Sequence, residues 1–234
     1  MNKKIITFGF FIVSFTAFFA QKERVEYLPT FDKKPIHYGF YLGANQNDFK
    51  LNLRESVIPN ASITVESALG FNVGLIVDLR LHKNLNLRLE PGLVSNIKKI
   101  LFNHLNTATS SQDSIREVGS TYLHLPLVFK FSTDRYKNMR PYLLAGVSYD
   151  HNFSSNEKND DNLSGEFRMK THNFMYEVGV GVDFYLYYFK FSPSIRGVFA
   201  INNEIKYDDD PKSRWTAPIN FLGTRGVFLN FAFE

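Results

Sequence analysis

The chain has 234 residues and no cysteine, which excludes disulfides, thiolate metal sites, cysteine nucleophiles and a lipidated cysteine anchor. Aromatic residues make up 16% of it, with 24 Phe and 12 Tyr, and charged residues only 21%, a balance that favours strands over helices. The formal charge of +4 falls to +2 when residues 1–20, with Lys3 and Lys4, are set aside, and a near-neutral chain is a poor partner for nucleic acid.

Residues 1–20 read as a cleaved export signal: Lys3 and Lys4, then a mostly apolar run from Ile5 to Phe19, then Ala20 before a charged stretch. The run is too short for a spanning helix. Residues 21–35 are polar with two prolines and read as a periplasmic lead-in rather than a strand.

From Ile36 onward eight segments alternate with period two: 36–46, 68–81, 85–97, 117–131, 139–150, 172–186, 188–201 and 222–233. In the second, Phe71, Val73, Leu75, Val77 and Leu79 share one face, while Asn72, Gly74, Asp78 and Arg80 share the other. The connections run alternately long and short: 47–67, 82–84, 98–116, 132–138, 151–171, 186–187 and 202–221. That rhythm matches an up-and-down transmembrane barrel with long extracellular loops and short periplasmic turns. A Greek-key sandwich has no reason to produce it. The predicted fold is therefore all-β, an eight-stranded antiparallel outer-membrane barrel over residues 36–234.

Asp78, Arg80, Arg88, Glu90, Glu177, Asp183, Lys190 and Arg196 lie on polar faces. Ions are costly against lipid, so these are predicted to point inward. A turn at 82–84 opposes residues whose numbers sum to 166 and sets Asp78 against Arg88. A two-residue turn at Leu186 and Tyr187 gives a sum of 373 and pairs Asp183 with Lys190 and Glu177 with Arg196. Eight strands enclose only enough room for side chains, so these charges read as a packed plug rather than a pore.

The six histidines, at 37, 82, 104, 124, 151 and 172, show no local zinc spacing and read mostly as rim or solvent groups. His151 with Ser154 raises an outer-membrane lipid hydrolase as one alternative. Asp208, Asp209 and Asp210 raise divalent-ion binding, without the alternating ligands of a known calcium loop. The segment 154–166 reads as a flexible polar loop. Trp215, Tyr207, Tyr149 and Phe153 read as an outer aromatic girdle. No catalytic residue, metal or cofactor is assigned, and the expected protein is not an enzyme.

Gly39-Phe40-Tyr41-Leu42-Gly43-Ala44-Asn45, followed by Asn47-Asp48-Phe49, resembles the opening of PorT/SprT-type barrels of the Bacteroidota type IX secretion system. Gly70-Phe71-Asn72-Val73-Gly74-Leu75, Leu87-Arg88-Leu89-Glu90-Pro91-Gly92-Leu93 and Tyr122-Leu123-His124-Leu125-Pro126-Leu127 continue the likeness. It implies an outer-membrane component needed for export of proteins with C-terminal secretion signals, and for gliding motility in relatives. Its expected partners are membrane lipid and other secretion-system proteins. A general structural or adhesin-like barrel is the other alternative. Barrels usually end on an aromatic assembly signal; here Phe233 takes that role, with Glu234 an overhang, and deleting residues 231–234 is expected to impair insertion.

Overall fold

The computed structural model describes residues 25–54, 62–103, 114–159, 167–211 and 213–234. The predicted signal, His104 and most of the polar loop 154–166 fall outside them. Ten strands follow in order: β1 (Ile36–Leu53), β2 (Ile63–Ser67), β3 (Leu69–His82), β4 (Leu85–Leu89), β5 (Gly92–Phe102), β6 (Ile115–Ser132), β7 (Met139–Asn152), β8 (His172–Tyr185), β9 (Lys190–Ala200) and β10 (Ile219–Phe233). Every pairing between them is antiparallel, and β1 closes on β10 from Phe40↔Phe233 to Leu53↔Ile219.

The ten strands make eight staves, because β2 with β3 and β4 with β5 are each one stave with a break. The second break falls at Glu90-Pro91, where proline has no N–H to give the ladder. The pairing sum of 166 holds on both sides of it, in Asp78↔Arg88 and in Phe71↔Ser95. The Pro91 carbonyl still accepts from Leu75 N–H at 2.9 Å. The barrel expected from alternation is therefore the barrel observed, with Phe71, Leu75, Leu143, Val180, Ile195 and Val227 exposed on its outside.

The staves rise higher than expected at the long-loop end. β1 continues from 46 to Leu53 and β5 from 97 to Phe102, through stretches that read as loop. The physical reason is an inversion of polarity. Above the apolar belt the outer face carries Asp48 with Arg225 (2.9 Å) and Lys99 with Glu117 (4.0 Å), while the inner face carries Phe49, Ile100, Phe102 and Val118. Alternation persists along the strand, with polar residues outward and apolar ones inward except for buried Lys98 and Arg116.

The β8–β9 hairpin differs from the expected register. Its pairing sum is 375, from Met175↔Ala200 to Tyr185↔Lys190, so the turn spans 186–189 and closes with Leu186 N–H donating to Phe189 O at 3.0 Å. A two-residue turn needs residues that accept positive φ, and Leu186-Tyr187 offers neither Asn nor Gly. Asp183 consequently meets Ser192, whose Oγ donates to it at 2.6 Å, and Glu177 faces Val198, rather than Lys190 and Arg196. A shift of two keeps every side chain on its own face.

Gly39 and Gly43 lie at the closing seam. A Cβ on Gly43 would meet Leu229 O at 2.5 Å, and Asn230 Oδ1 and Asn72 Nδ2 at 2.6 Å each. Gly43→Val is expected to destabilise the barrel by about 1–3 kcal/mol through overpacking. Gly119→Val, where a Cβ meets nothing within 4 Å, serves as the control. Urea midpoints of the two variants, followed by the gel mobility of the folded form, check this; equal midpoints would contradict it.

Candidate functional site: a filled lumen

The short-turn end is closed by the lead-in. Thr30 precedes a 3-10 turn, Phe31–Lys33, whose Phe31 ring stacks on His37 with centroids 4.3 Å apart. His37 Nε2 lies 2.8 Å from Phe31 O. Asp32 accepts from Tyr185 Oη at 2.7 Å and sits 3.5 Å from Arg140 Nη1. Arg80, placed inside by the alternation, is half-buried and donates to Asp32 O. Tyr27 N–H donates to Asn138 Oδ1 at 2.9 Å. Residues 25–35 form no strand, and they seal the barrel base.

Above it lies an ionic layer. Arg88 is fully buried and lies 2.6 Å from Asp78 Oδ2, 3.3 Å from Glu90 Oε1 and 2.6 Å from Glu234 Oε1. Arg196 Nη2 donates to Glu90 Oε1 at 2.9 Å, and Arg196 Nη1 stands 3.9 Å from Glu177 Oε2. Lys130 Nζ reaches both oxygens of Asp183 at 2.8 Å, and Ser192 Oγ donates to Asp183 at 2.6 Å. Lys190 Nζ pairs with Glu234 at 2.9 Å. His124 presents Nδ1 to Asp150 at 2.7 Å and Nε2 to Glu177 at 3.1 Å, the arrangement in which an imidazole donates from both sides.

Of the predicted pairs, Asp78 and Arg88 therefore stand opposed and in contact. Asp183 and Lys190 each take another partner, and Glu177 is held chiefly by His124 and only loosely by Arg196. Glu234 is no overhang: it lies inside, between Arg88 and Lys190. Lys130, His124 and Asp150 are interior ions beyond those singled out from the sequence. The signal for the first two was their parity, since both share the inward face of β6 with Tyr122 and Val128.

Next comes a layer of neutral amides: Asn45, Asn47, Asn72, Asn96, Asn173 and Asn230, all buried. Asn72 Nδ2 donates to Asn230 Oδ1 over Gly43, which lies between them on β1. Asn45 of the first-strand motif belongs to this layer. Asp48 of the same motif faces outward, and Phe49 begins the layer above.

The long-loop end carries an apolar cap, in which Phe49, Ile100, Phe102, Val118, Ile219 and Leu222 of the wall meet Phe167, Met169, Ile205 and Trp215 of the loops. Trp215 is thus a core residue rather than a girdle residue, with the Arg116 guanidinium 4.8 Å over its ring. Two polar clamps fasten the cap. Glu204 Oε2 accepts from Thr224 Oγ1 at 2.7 Å, and Glu204 Oε1 from Thr224 N–H at 3.0 Å; burial pushes the Glu204 carboxyl upward, against the opposing pull of Lys98. Asp208 accepts from Arg168 Nη2 at 3.1 Å and Thr216 Oγ1 at 3.0 Å, so this aspartate of the acidic run serves the loop itself. Among the described residues, no group of three His, Asp or Glu has metal-ligand geometry.

Trp215→Ala is expected to loosen this cap, with a cost of about 3–5 kcal/mol for removing a buried indole. Limited proteolysis of the folded barrel reads it out as faster cleavage within 201–218. Unchanged cleavage there would place the indole's packing energy elsewhere.

His151 and Ser154 do not form a nucleophile–base pair among the described residues. The His151 ring packs against Phe153 and His172, with centroids 5.1 and 5.2 Å apart. Ser154 N–H donates to Asn152 Oδ1 at 2.9 Å. His37 and His124 are buried rather than solvent histidines; His82 and His172 are exposed.

A closed ring of eight antiparallel staves, apolar outside and polar within, defines an integral β-barrel membrane protein. The outer membrane protein beta-barrel domain model matches residues 19–206, and the chain belongs to that family; its place is the outer membrane. No curated protein matches the sequence. Among solved structures the chain is similar to outer membrane protein OprG from Pseudomonas aeruginosa, at 13% identity, TM-score 0.47, covering 85% of this chain and 93% of that one. Neisserial surface protein A aligns at 11% identity, TM-score 0.44, over 85% of this chain and 98% of that one. The attachment invasion locus protein Ail of Yersinia pestis aligns at 10% identity, TM-score 0.40, over 86% and 98%.

Proposed function

We propose that this barrel is a non-enzymatic outer-membrane component of the type IX secretion system, delivered by a cleaved signal over residues 1–20, and that it works through its rims and outer surface with other secretion-system proteins. The supporting observation is the filled lumen. From Asp32 at the base to Trp215 in the cap, side chains and loops occupy the axis, and an eight-stranded barrel so packed has no passage for a folded cargo. The choice of system rests on the resemblance of the first strand, whose Gly39 and Gly43 fit the closing seam.

Two measurements test the reading. Deleting the gene should abolish export of proteins with C-terminal secretion signals, and unchanged export rejects the role. The purified barrel in planar bilayers should show no steady conductance, and a steady ohmic channel would overturn the argument from the lumen. Intact export with adhesion lost would instead favour a structural or adhesin-like barrel.

A further inference from the structure

The pairing of β7 with β8 sets His151 directly opposite His172 on the outer face of the barrel. The two rings stand 5.2 Å apart, centroid to centroid, and both are reachable from outside: His172 is exposed and His151 partly so. His151 lies twelve residues beyond Met139, where β7 begins. At about 3.3 Å per residue and a tilt of about 40° that is roughly 30 Å along the barrel, beyond an apolar belt of about 25 Å. The pair therefore sits at the extracellular headgroup level, wet enough for ions to reach it.

We propose that His151 and His172 form a cross-strand clamp for a divalent transition-metal ion, with water completing the coordination. Imidazole nitrogens bind such ions at about 2.0–2.1 Å, so two rings on one tetrahedral ion place their centroids about 5.2 Å apart. The observed spacing already meets that demand. The orienting partner of a ligating histidine is present as well: Tyr149 Oη lies 2.6 Å from His172 Nδ1. When that nitrogen carries the proton and donates it to the phenol oxygen, the lone pair on Nε2 is left outward for the metal. The Tyr149 and His172 rings lie nearly parallel, 22° apart with centroids at 6.0 Å, so that the Oη–Nδ1 contact holds the imidazole's orientation.

Glu157 adds negative charge beside the clamp. Its Oε2 accepts from Thr171 N–H at 2.7 Å, next in the chain to His172, and that bond holds the carboxyl below its usual range. The site escapes a motif search because its ligands are neighbours only through the sheet. Binding strength at such nitrogen pairs rises toward copper, so Cu2+ is the sensitive probe.

The test uses the untagged, folded barrel in detergent micelles, titrated with Cu2+ and followed by calorimetry and electron paramagnetic resonance. The native protein should bind one more Cu2+ per chain than the double variant His151→Ala, His172→Ala, with coupling to two nitrogens in the spectrum. Tyr149→Phe should keep the site and weaken it roughly 10–100-fold, the scale of an orienting partner. His82→Ala, exposed at the opposite end of the barrel, should change nothing. Equal stoichiometry in the native protein and a double variant that retains folded gel mobility would overturn the proposal, as would a two-nitrogen signal that survives the double substitution.

Discussion

Replacing Arg88 with Met should lower the stability of the folded barrel by at least the roughly 3–5 kcal/mol that follows the loss of one partner from a buried ion pair. The reasoning is one of stranded charge. The guanidinium separates Asp78, Glu90 and Glu234, all of them buried. Glu90 keeps Arg196 and Glu234 keeps Lys190. Asp78 keeps only the Asn86 amide among its hydrogen-bond partners. Methionine fills the volume, so the loss reports charge and not a cavity. Urea unfolding in lipid vesicles measures it. Adding Asp78→Asn to Arg88→Met should recover part of the loss, because the stranded carboxylate is then neutral. A single variant within about 1 kcal/mol of native stability, the scale of a surface pair, would show that the layer is wet enough to screen its ions.

Residues 71–81 show why the barrel is legible in the sequence: hydrocarbon outside and a polar lumen inside force one face of each stave to be apolar. The turn expected at 82–84 set Asp78 opposite Arg88, and the sum of 166 holds above the register shift between Arg80 and His82 and survives even the Pro91 break. Alternation does not constrain register between staves. A slip of two leaves parity unchanged, so Asp183 and Lys190 looked paired while the 186–189 turn carried them past each other. Nor does it show that polarity inverts above the belt. The run Asn47 to Leu53 reads as loop because Asp48, Lys50 and Asn52 occupy the outward positions that apolar residues hold lower down.

The cap and the histidine clamp were hidden for a related reason. Trp215 lies in the mostly polar loop between β9 and β10, and its burial depends on wall residues such as Phe49 and Ile100 from distant staves. His151 and His172 are twenty-one positions apart and meet only through the β7–β8 ladder. Contacts made across a sheet carry no local spacing, whereas the parity of a single strand does. Lys130 and His124 fall between these cases, visible in parity but without a partner to name.

The last two residues offer a way to separate assembly from stability. Phe233 and Glu234 are adjacent and point to opposite sides of the wall. Phe233 stacks on Phe40 at 5.2 Å and meets Phe189 and Phe191 at 6.0 and 5.3 Å on the outside. Glu234 enters the lumen between Arg88 and Lys190, and its backbone pairs with Lys190 in both directions. Glu234→Gln should leave membrane insertion at native rates while costing about 1.5–3 kcal/mol, the scale of a hydrogen bond to a charged group. Phe233→Ala should slow the appearance of folded barrel in vivo, since the aromatic seam where β10 meets β1 and β9 is then incomplete. Pulse-labelling for the rate and urea midpoints for the stability distinguish the two. If Glu234→Gln slows insertion as much as Phe233→Ala does, the ionic layer forms before the seam closes, and the expectation that Phe233 serves as the assembly signal falls.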